Sequence, residues 1–283
     1  MDEGPMVRSR EVAGIRMRWE EHGTGTPVVL VHGIPTSPAL WRRVVPRMVG
    51  ARSLAWEMVG YGESIPQGVR RDISVAAQAE YLLSWLDALG IERAVFGGHD
   101  LGGGVVQIAA VRQPERCAGL LLTNAIGYDS WPVPSVKLMR ALGPAVRLLP
   151  STAFKWGILA MLMRRGHDDR AVARESLELH ARPYQKPGGV AAFVRQVRSL
   201  DVRDTERVAA ELPRLRGTPS RVVWGAADQF QKLRYGERFA RDLDTVLHPI
   251  PGGKHFTPED HPEAIAEALN GLVRAAALAP HQE

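Results

Sequence analysis

The sequence predicts an α/β protein with a doubly wound, mostly parallel sheet. Short apolar runs such as "PVVLVHG", "RAVFGGH", "GLLLTNA" and "SRVVWGA" are typical of parallel strands that are buried on both faces. Amphipathic segments such as "ISVAAQAEYLLSWLDALG" stand between these runs, and this alternation indicates a sheet covered by helices. The runs "IRMRWEEHG", "RSLAWEMVG" and "DTVLHPI" predict further strands, and "SPALWRRVVPRMV" predicts a helix.

The alternation stops between residues 128 and 215. This segment contains the helical stretches "VKLMRALGPAVRLL", "TAFKWGILAMLMRR", "AVARESLELHAR" and "GVAAFVRQVRSL", which are separated by Pro and Gly. We therefore expect residues 1–127 and 216–283 to form a core domain, with residues 128–215 inserted as a helical cap. An insertion at the carboxyl end of a strand would overhang a site at that edge of the sheet.

The composition of the sequence indicates which partners and which cellular compartment to expect. The 283 residues carry 36 Lys and Arg against 31 Asp and Glu, a formal net charge of +5. Opposite charges are interspersed without a basic block, so we expect no nucleic acid partner. No segment approaches the roughly 20 apolar residues of a membrane span, and "MDEGPMVRSR" lacks the apolar core of a signal peptide. Together with a single cysteine, Cys117, this predicts a cytoplasmic protein that does not bind membranes; the oligomeric state stays open.

The segment "GHDLGGG" places Asp100 where a strand turns sharply into a helix. This strand–turn–helix pattern is typical of a nucleophile elbow, which normally presents a serine. Gly98 and Gly102 flank the aspartate at the two positions where a side chain would clash in so tight a turn. Asp100 is therefore predicted to present its carboxylate at the edge of the sheet, beside the start of a helix.

Two later segments supply the partners that such a nucleophile needs. "VVWGAADQF" places Asp228 just after a strand, and "IPGGKHFTPEDHP" places His255 in a loop 27 residues later. The order nucleophile, acid, histidine is that of the triad in α/β enzymes with a nucleophile elbow. The turn after "VLVHG" predicts an oxyanion hole made by the backbone N–H groups of Ile34 and Leu101.

A carboxylate nucleophile limits the chemistry. An ordinary aspartate is ionised at neutral pH and needs no general base to attack. Attack on an ester or amide would give an anhydride, whereas attack on a saturated carbon gives a stable alkyl ester. The expected electrophile is therefore an sp³ carbon with a leaving group, and His255, oriented by Asp228, would then activate water to cleave the ester.

The segments "HGIPTSPALW", "GYGES", "GHDLGG", "WGAAD" and "GGKHFTPEDHP" resemble the α/β-hydrolase superfamily, in its aspartate-nucleophile branch of epoxide hydrolases and haloalkane dehalogenases. The resemblance spans residues 10–127 and 216–277 and is looser across the cap. It implies an α/β-hydrolase fold with Asp100 as nucleophile, His255 as base and Asp228 as acid. It implies hydrolysis of a small, moderately hydrophobic organic substrate by water, with no cofactor and no metal.

The leaving group depends on positions where this chain departs from the family pattern. Leu101 stands where both families usually carry Trp, and Ile34 stands where many dehalogenases have Asn. The usual halide donors of the core are thus missing, and the His-Gly-x-Pro pattern favours epoxide hydrolysis to a diol over dehalogenation. The cap would then have to supply the donor to the leaving group. The candidates are Trp156, Tyr184, Tyr128 and Trp131, with the first two preferred.

Two other classes of protein remain as alternatives. A serine esterase would need a serine in the elbow, and none is present. A ligand receptor on the same fold would bind in the pocket with slow or no turnover, which the intact triad of Asp100, Asp228 and His255 argues against. Asn124 also ends a strand, but it carries no charge, so Asp228 is the predicted acid.

Overall fold

The computed structural model describes residues 4–278 of the chain. Its strands are β1 Met6–Val12, β2 Ile15–His22, β3 Thr26–Val31, β4 Ala51–Glu57, β5 Ala94–His99, β6 Cys117–Thr123, β7 Ser220–Gly225 and β8 Leu247–Ile250. They form one sheet in the order β1-β2-β4-β3-β5-β6-β7-β8. The pairs β1–β2 and β2–β4 are antiparallel and all other pairs are parallel, so the predicted fold class is confirmed.

Helices cover both faces of the sheet. They are α1 Val75–Leu89, α2 Leu101–Arg112, α3 Pro134–Ala141, α4 Gly143–Val146, α5 Ser151–Phe154, α6 Ala160–Gly166, α7 Arg170–His180, α8 Arg182–Gln185, α9 Gly189–Arg198, α10 Arg203–Ala209, α11 Leu233–Asp242, α12 Thr257–Asp260 and α13 Pro262–Leu278. The ends of α1 follow its sequence: Ser74 Oγ accepts a hydrogen bond from the N–H of Ala77, and Gly90 ends the helix with φ +65°.

Burial of the strands follows their composition. Every residue of β5 and β6 is buried, because helices cover the central strands on both faces. In contrast, β1 is exposed at six of its seven positions and is held at the edge by pairing with β2. Its sequence "MVRSREV" lacks an apolar face, and for this reason the sequence did not predict it.

The predicted helix over residues 37–49 is wrong. This segment contains two short 3₁₀ turns, Pro38–Trp41 and Val45–Arg47. Proline has no N–H to donate within a helix, and its ring clashes with the preceding turn. Pro46 therefore prevents a continuous helix, although Leu40 and Trp41 are buried as the apolar pattern indicated.

Helices α3–α10 lie between β6 and β7, in the segment predicted as the cap. An aromatic cluster of Phe154, Tyr184 and Phe193 packs edge-on within it, with ring centroids 4.9–5.9 Å apart. The division into a core and a cap stays a prediction, and residues 1–3 and 279–283 of the predicted core lie outside the described residues. In residues 4–278, no helix is both long and apolar enough for a membrane span.

Candidate active site

The turn between β5 and α2 holds Asp100 in a conformation that is rare for a non-glycine residue, with φ 50° and ψ −120°. A side chain at Gly98 would place its Cβ 2.5 Å from the carbonyl oxygen of Gly102, and a Cβ at Gly102 would collide with the backbone of Val31. The Asp100 carbonyl accepts the N–H groups of Gly103 and Ile126, each at 3.1 Å. The neighbouring backbone therefore fixes the strained turn and fits the pattern of a nucleophile elbow.

The Asp100 side chain is buried against the turn that follows β3. Its Oδ1 accepts the N–H of Ile34 at 3.2 Å. A Cβ at Gly33 would lie 2.6 Å from the same oxygen, so only glycine allows the two turns to approach this closely. Leu101 is the first residue of α2, and its N–H has no partner within the helix. One predicted oxyanion donor thus contacts the carboxylate, and the other begins the helix beside it.

His255 lies between the two predicted carboxylates. Its Nδ1 donates to Asp228 Oδ2 at 2.8 Å, and its Nε2 lies 3.6 Å from Asp100 Oδ2. Burial disfavours the charged ring, but Asp228 and Asp100 outweigh it and raise the pKa of His255 to about 10. Burial would also raise the pKa of Asp228, yet the His255 charge and several hydrogen bonds lower it. The ground state is therefore an imidazolium between two carboxylates.

A cavity of about 70 Å³ opens above these residues. Asp100, His255 and Gln231 supply its charged and amide side chains, and Trp131 supplies an indole. The remaining wall is almost entirely apolar, formed by Ile34, Pro35, Leu101, Ile126, Pro132, Val133, Val136, Met139, Leu162, Phe193, Val197, Leu200, Phe230 and Phe256. The site can hold a small apolar molecule against the Asp100 carboxylate. Residues 4–278 contain no group of three or more His, Cys, Asp or Glu side chains arranged to hold a metal.

A family model described as the alpha/beta hydrolase fold matches residues 26–262. The chain belongs to the α/β-hydrolase family. This hydrolase is 30% identical over 270 residues to haloalkane dehalogenase 2 of Mycobacterium tuberculosis (strain ATCC 25618 / H37Rv), with 90% of each chain covered. It is 37% identical over 131 residues to bifunctional epoxide hydrolase 2 of Sus scrofa, covering 45% of this chain and 24% of that protein.

Among solved structures, the hydrolase matches an alpha/beta hydrolase fold protein from Burkholderia ambifaria with a TM-score of 0.83. The two sequences are 28% identical, and the match covers 93% of this chain and 96% of the other. The predicted resemblance to the α/β-hydrolase superfamily is confirmed.

Three of the four aromatic residues predicted to contact substrate lie elsewhere in the hydrolase. Trp156 is 60% exposed, and the Lys155 ammonium lies 4.8 Å from the centroid of its ring. Tyr184 is buried in the aromatic cluster, and Tyr128 is buried against Tyr235 and Phe239 of α11. Both hydroxyls are engaged, with Gln196 Oε1 and with Asp242 Oδ2 respectively. The two tyrosines pack inside the protein and Trp156 faces outward, so none of the three lines the cavity.

Trp131 is the fourth predicted residue, and it does line the cavity. Its indole N–H donates to Thr205 Oγ1 at 2.7 Å, and Thr205 in turn donates to the Tyr128 carbonyl at 2.8 Å. The ring of Trp131 can therefore pack against a ligand, while its single N–H is already used within the hydrolase.

Asn124 is a site residue whose role the sequence did not reveal. Its Nδ2 donates to Asp228 Oδ2 at 2.6 Å, and its Oδ1 accepts the N–H of Gly225 and the hydroxyl of Thr257. Asn124 has φ 42°, a left-handed conformation that asparagine tolerates better than most residues. Asn124 therefore holds the Asp228 carboxylate and the end of β7, and we expect it to act as a positioning residue.

Proposed function

We propose that this hydrolase forms an ester between Asp100 and an sp³ carbon of its substrate, and then cleaves that ester with water. The observation that carries the proposal is the division of the Asp100 carboxylate between two partners. Oδ1 contacts the N–H of Ile34, and Oδ2 faces Nε2 of His255. This arrangement suits a carboxylate that becomes an ester and is later attacked at its own carbonyl carbon.

In the first step, Asp100 Oδ2 attacks the sp³ carbon. A carbon–oxygen bond forms, the bond to the leaving group breaks, and the leaving group departs with the electron pair. Oδ1 becomes the carbonyl oxygen of the ester, still beside Ile34. The apolar wall excludes water from the carboxylate, which makes it a stronger nucleophile than in solution.

In the second step, neutral His255 takes a proton from water, and the resulting hydroxide attacks Asp100 Cγ. Negative charge develops on Oδ1, where the Ile34 N–H already points and the N–H of Leu101 begins α2. Collapse breaks the bond between Cγ and Oδ2, and His255 returns its proton to the departing alcohol. The alcohol carries Oδ2 away and the water oxygen takes its place on Cγ. The proton of the resulting Asp100 acid passes to His255, which restores the carboxylate and the imidazolium.

The proposed mechanism requires His255 to be a neutral base only in the second step, and the charge of Asp100 provides for this. While Asp100 is ionised, the two neighbouring carboxylates raise the pKa of His255 to about 10, so the ring is protonated at neutral pH. Esterification removes the Asp100 charge and lowers the pKa of His255, because one of the two groups that stabilise the imidazolium is lost. When a halide is the leaving group, the ring therefore gives its proton to solvent and becomes the base only after the ester has formed.

Two features support a halide as the leaving group. A halide departs as a stable anion and needs only hydrogen-bond donors, whereas an epoxide oxygen needs a proton or strong donors. The hydroxyls of Tyr128 and Tyr184 are engaged inside the protein and are not in the cavity wall. Moreover, the 30% identical relative named haloalkane dehalogenase 2 matches over 90% of both chains. We therefore place dehalogenation first, which reverses the preference given by the His-Gly-x-Pro pattern.

An epoxide is the second candidate, and the charge of His255 favours it. The imidazolium lines the cavity and is the one acidic group in its wall. It could protonate the oxygen of an opened epoxide and would then be the neutral base that the second step requires. The products would be a diol from an epoxide and an alcohol from a haloalkane.

Intact-protein mass spectrometry of a His255→Gln variant tests the proposal. Without its base the second step should stall, and the ester should accumulate. Incubation of the variant with bromo- and chloroalkanes should add the mass of the alkyl group alone. An epoxide, whose opening uses the proton of His255, should add its whole mass to wild-type protein that is quenched during turnover. Peptide mapping should place either adduct on Asp100. The exposed His248, changed to Gln, is the matched control and should neither slow turnover nor trap an ester.

The outcomes are distinct. No adduct with any haloalkane or epoxide would overturn the ester mechanism. A compound that raises the melting temperature and is recovered unchanged would instead support a receptor. An alkyl adduct would establish dehalogenation, and an adduct of the whole epoxide would move the second candidate to first place.

A further inference from the structure

Gln231 is buried in the wall of the active-site cavity, three residues after Asp228. Its side chain belongs to a loop that is held at several points. The Gln231 carbonyl accepts the indole N–H of Trp224 at 2.9 Å, and the N–H of Phe230 donates to Asp228 Oδ1 at 2.7 Å. The position of Gln231 is thus tied to that of the acid.

The carboxamide of Gln231 has no partner within residues 4–278. The residue is 3% exposed, and its Oε1 is buried without a hydrogen bond. Its only hydrogen bond in the described chain is the one to its backbone carbonyl. Burying an amide without a partner is unfavourable, so a polar side chain left in this state inside a cavity indicates a ligand group that completes it.

The other side-chain donors of the cavity wall are bonded within the protein or face Asp100. The N–H of Trp131 is bound to Thr205, and His255 lies between Asp228 and Asp100. The rest of the wall offers hydrocarbon and backbone atoms. Apart from Nε2 of His255, which faces Asp100 Oδ2, Gln231 is therefore the one described side chain of the wall with an N–H donor free for a ligand.

We propose that Gln231 donates a hydrogen bond from Nε2 to the leaving group as it departs from the sp³ carbon. This inference rests on the ester mechanism proposed above. The two ends of a carboxamide exchange by rotation about its last side-chain torsion, so Nε2 can face the cavity. A neutral amide stabilises an anion and cannot protonate an alkoxide, so Gln231 would favour halide over epoxide substrates. It would thus fulfil the task of the donors that are missing at positions 34 and 101.

Single-turnover alkylation separates this role from the rest of the mechanism. In the His255→Gln background, the ester accumulates and its rate of formation reports the first step alone. Gln231→Met keeps the length of the side chain and removes the donor. Gln231→Glu keeps its shape and adds a negative charge. Gln229 lies in the same loop as Gln231, but it is exposed and contacts Arg165 of α6. The matched Gln229→Met and Gln229→Glu variants are the controls.

At saturating substrate, we expect Gln231→Met to slow alkylation by roughly 10- to 100-fold, the effect of losing one hydrogen bond to a charged group. Gln231→Glu should be slower still, because its carboxylate repels the halide. The loss should be larger for a chloroalkane than for the bromoalkane of the same skeleton, since chloride is the poorer leaving group. The Gln229 variants should alkylate at the rate of the background protein.

Equal alkylation rates in the Gln231→Met and background proteins would overturn the inference while the ester mechanism stands. A higher half-saturating concentration with an unchanged saturated rate would also overturn it, because Gln231 would then bind another part of the substrate. Absence of ester in every protein would show that the proposed mechanism itself had failed. Melting temperatures identify a misfolded variant, and the Met and Glu substitutions give independent tests.

Discussion

Asn124 Nδ2 lies 2.6 Å from Asp228 Oδ2, the same oxygen that accepts Nδ1 of His255 at 2.8 Å. One carboxylate oxygen thus joins the ends of β6 and β7 to the loop of His255. The other oxygen accepts the N–H of Phe230. With both oxygens held, the Asp228 carboxylate cannot rotate away from His255. The orientation of the base therefore depends on an amide that carries no charge.

Replacing Asn124 with alanine should impair the second step more than the first. Asp228 would lose one donor, and its carboxylate could rotate. We expect ester hydrolysis to slow by roughly tenfold, the cost of one charge-assisted hydrogen bond. Burst kinetics of product release should then show the ester accumulating in a protein that retains His255. Asn270→Ala, which removes hydrogen bonds to Val49 and Arg47 far from the triad, should leave the rates unchanged. Equal slowing of both steps would contradict a role in orienting the base.

The charge of Asp100 should control the titration of His255. With both carboxylates present, the pKa of His255 is raised to about 10. Asp100→Asn imitates the neutral ester, so we expect the pKa of His255 to fall by at least about one unit. Histidine NMR over pH 5–11 measures this, with His255→Gln to assign the signal. An unchanged titration in Asp100→Asn would show that Asp228 alone sets the pKa.

The raised pKa of His255 also makes the stability of the fold depend on pH. The folded pKa of His255 lies above the unfolded value of about 6.5, so its ion pairs stabilise the fold fully below that value. This contribution is lost as the pH rises through about 10. Asp100→Asn should weaken this alkaline loss of stability.

The parts of the site predicted from the sequence are those with strong local signals. The flanking glycines predict Asp100, because the turn admits no side chain at Gly98 or Gly102. Asp228 and His255 follow strand-like runs, and the carboxyl ends of parallel strands meet at one edge of the sheet. Ile34 follows from the His-Gly turn, where His32 Nε2 accepts the N–H of Met58 and fixes the loop.

The sequence predicts that residues 128–215 are helical, but it does not predict which of their side chains face the cavity. Whether a helical aromatic residue faces the cavity, the core or solvent depends on how several short helices pack, and sequence periodicity does not determine this. Phe193, for example, lines the cavity and also packs against Phe154 and Tyr184. No sequence motif marks Gln231, because the inference about it depends on its burial in the cavity wall without a side-chain hydrogen bond.

Gly33 should be required for alkylation more than for folding. A Cβ at this position would lie 2.6 Å from Asp100 Oδ1 and 2.8 Å from Cγ, so alanine must displace the carboxylate. We expect Gly33→Ala to slow ester formation by roughly 100-fold or more, as an ångström-scale misplacement of a reacting group does. Overpacking should cost about 1–3 kcal/mol of stability.

The alkylation assay in the His255→Gln background measures the effect of Gly33→Ala. Gly157→Ala is the control, since a Cβ there has open space around it and the backbone is helical. If Gly33→Ala alkylated at the background rate, the carboxylate would have to tolerate movement, and the close approach of the two turns would not be needed for catalysis.

Glu259 anchors α12 to the cap from a fully buried position. Its carboxylate is bonded to Arg42, to the Ser176 hydroxyl at 2.7 Å and to His180 Nε2 at 3.2 Å. Removal of this charge leaves Arg42 without its buried partner. We expect Glu259→Gln to lower the free energy of unfolding by about 3 kcal/mol, the lower end for a broken buried pair. Denaturant unfolding measures this. Glu263→Gln removes an exposed ion pair and should cost less than about 1 kcal/mol.

The difference between wild type and Glu259→Gln should depend on pH in one direction. Burial opposes ionisation, but the charge of His180, its hydrogen bond, the Nε2 of His167 at 3.3 Å and the charge of Arg42 hold the pKa of Glu259 well below its ordinary value. A depressed folded pKa gives stability that is present above the unfolded value of about 4.3 and is lost as the pH falls through the folded pKa. The stability difference should therefore be constant near neutral pH and should shrink in strong acid. A difference that stayed constant down to the acid transition would mean that packing, and not the Glu259 charge, holds α12 to the cap.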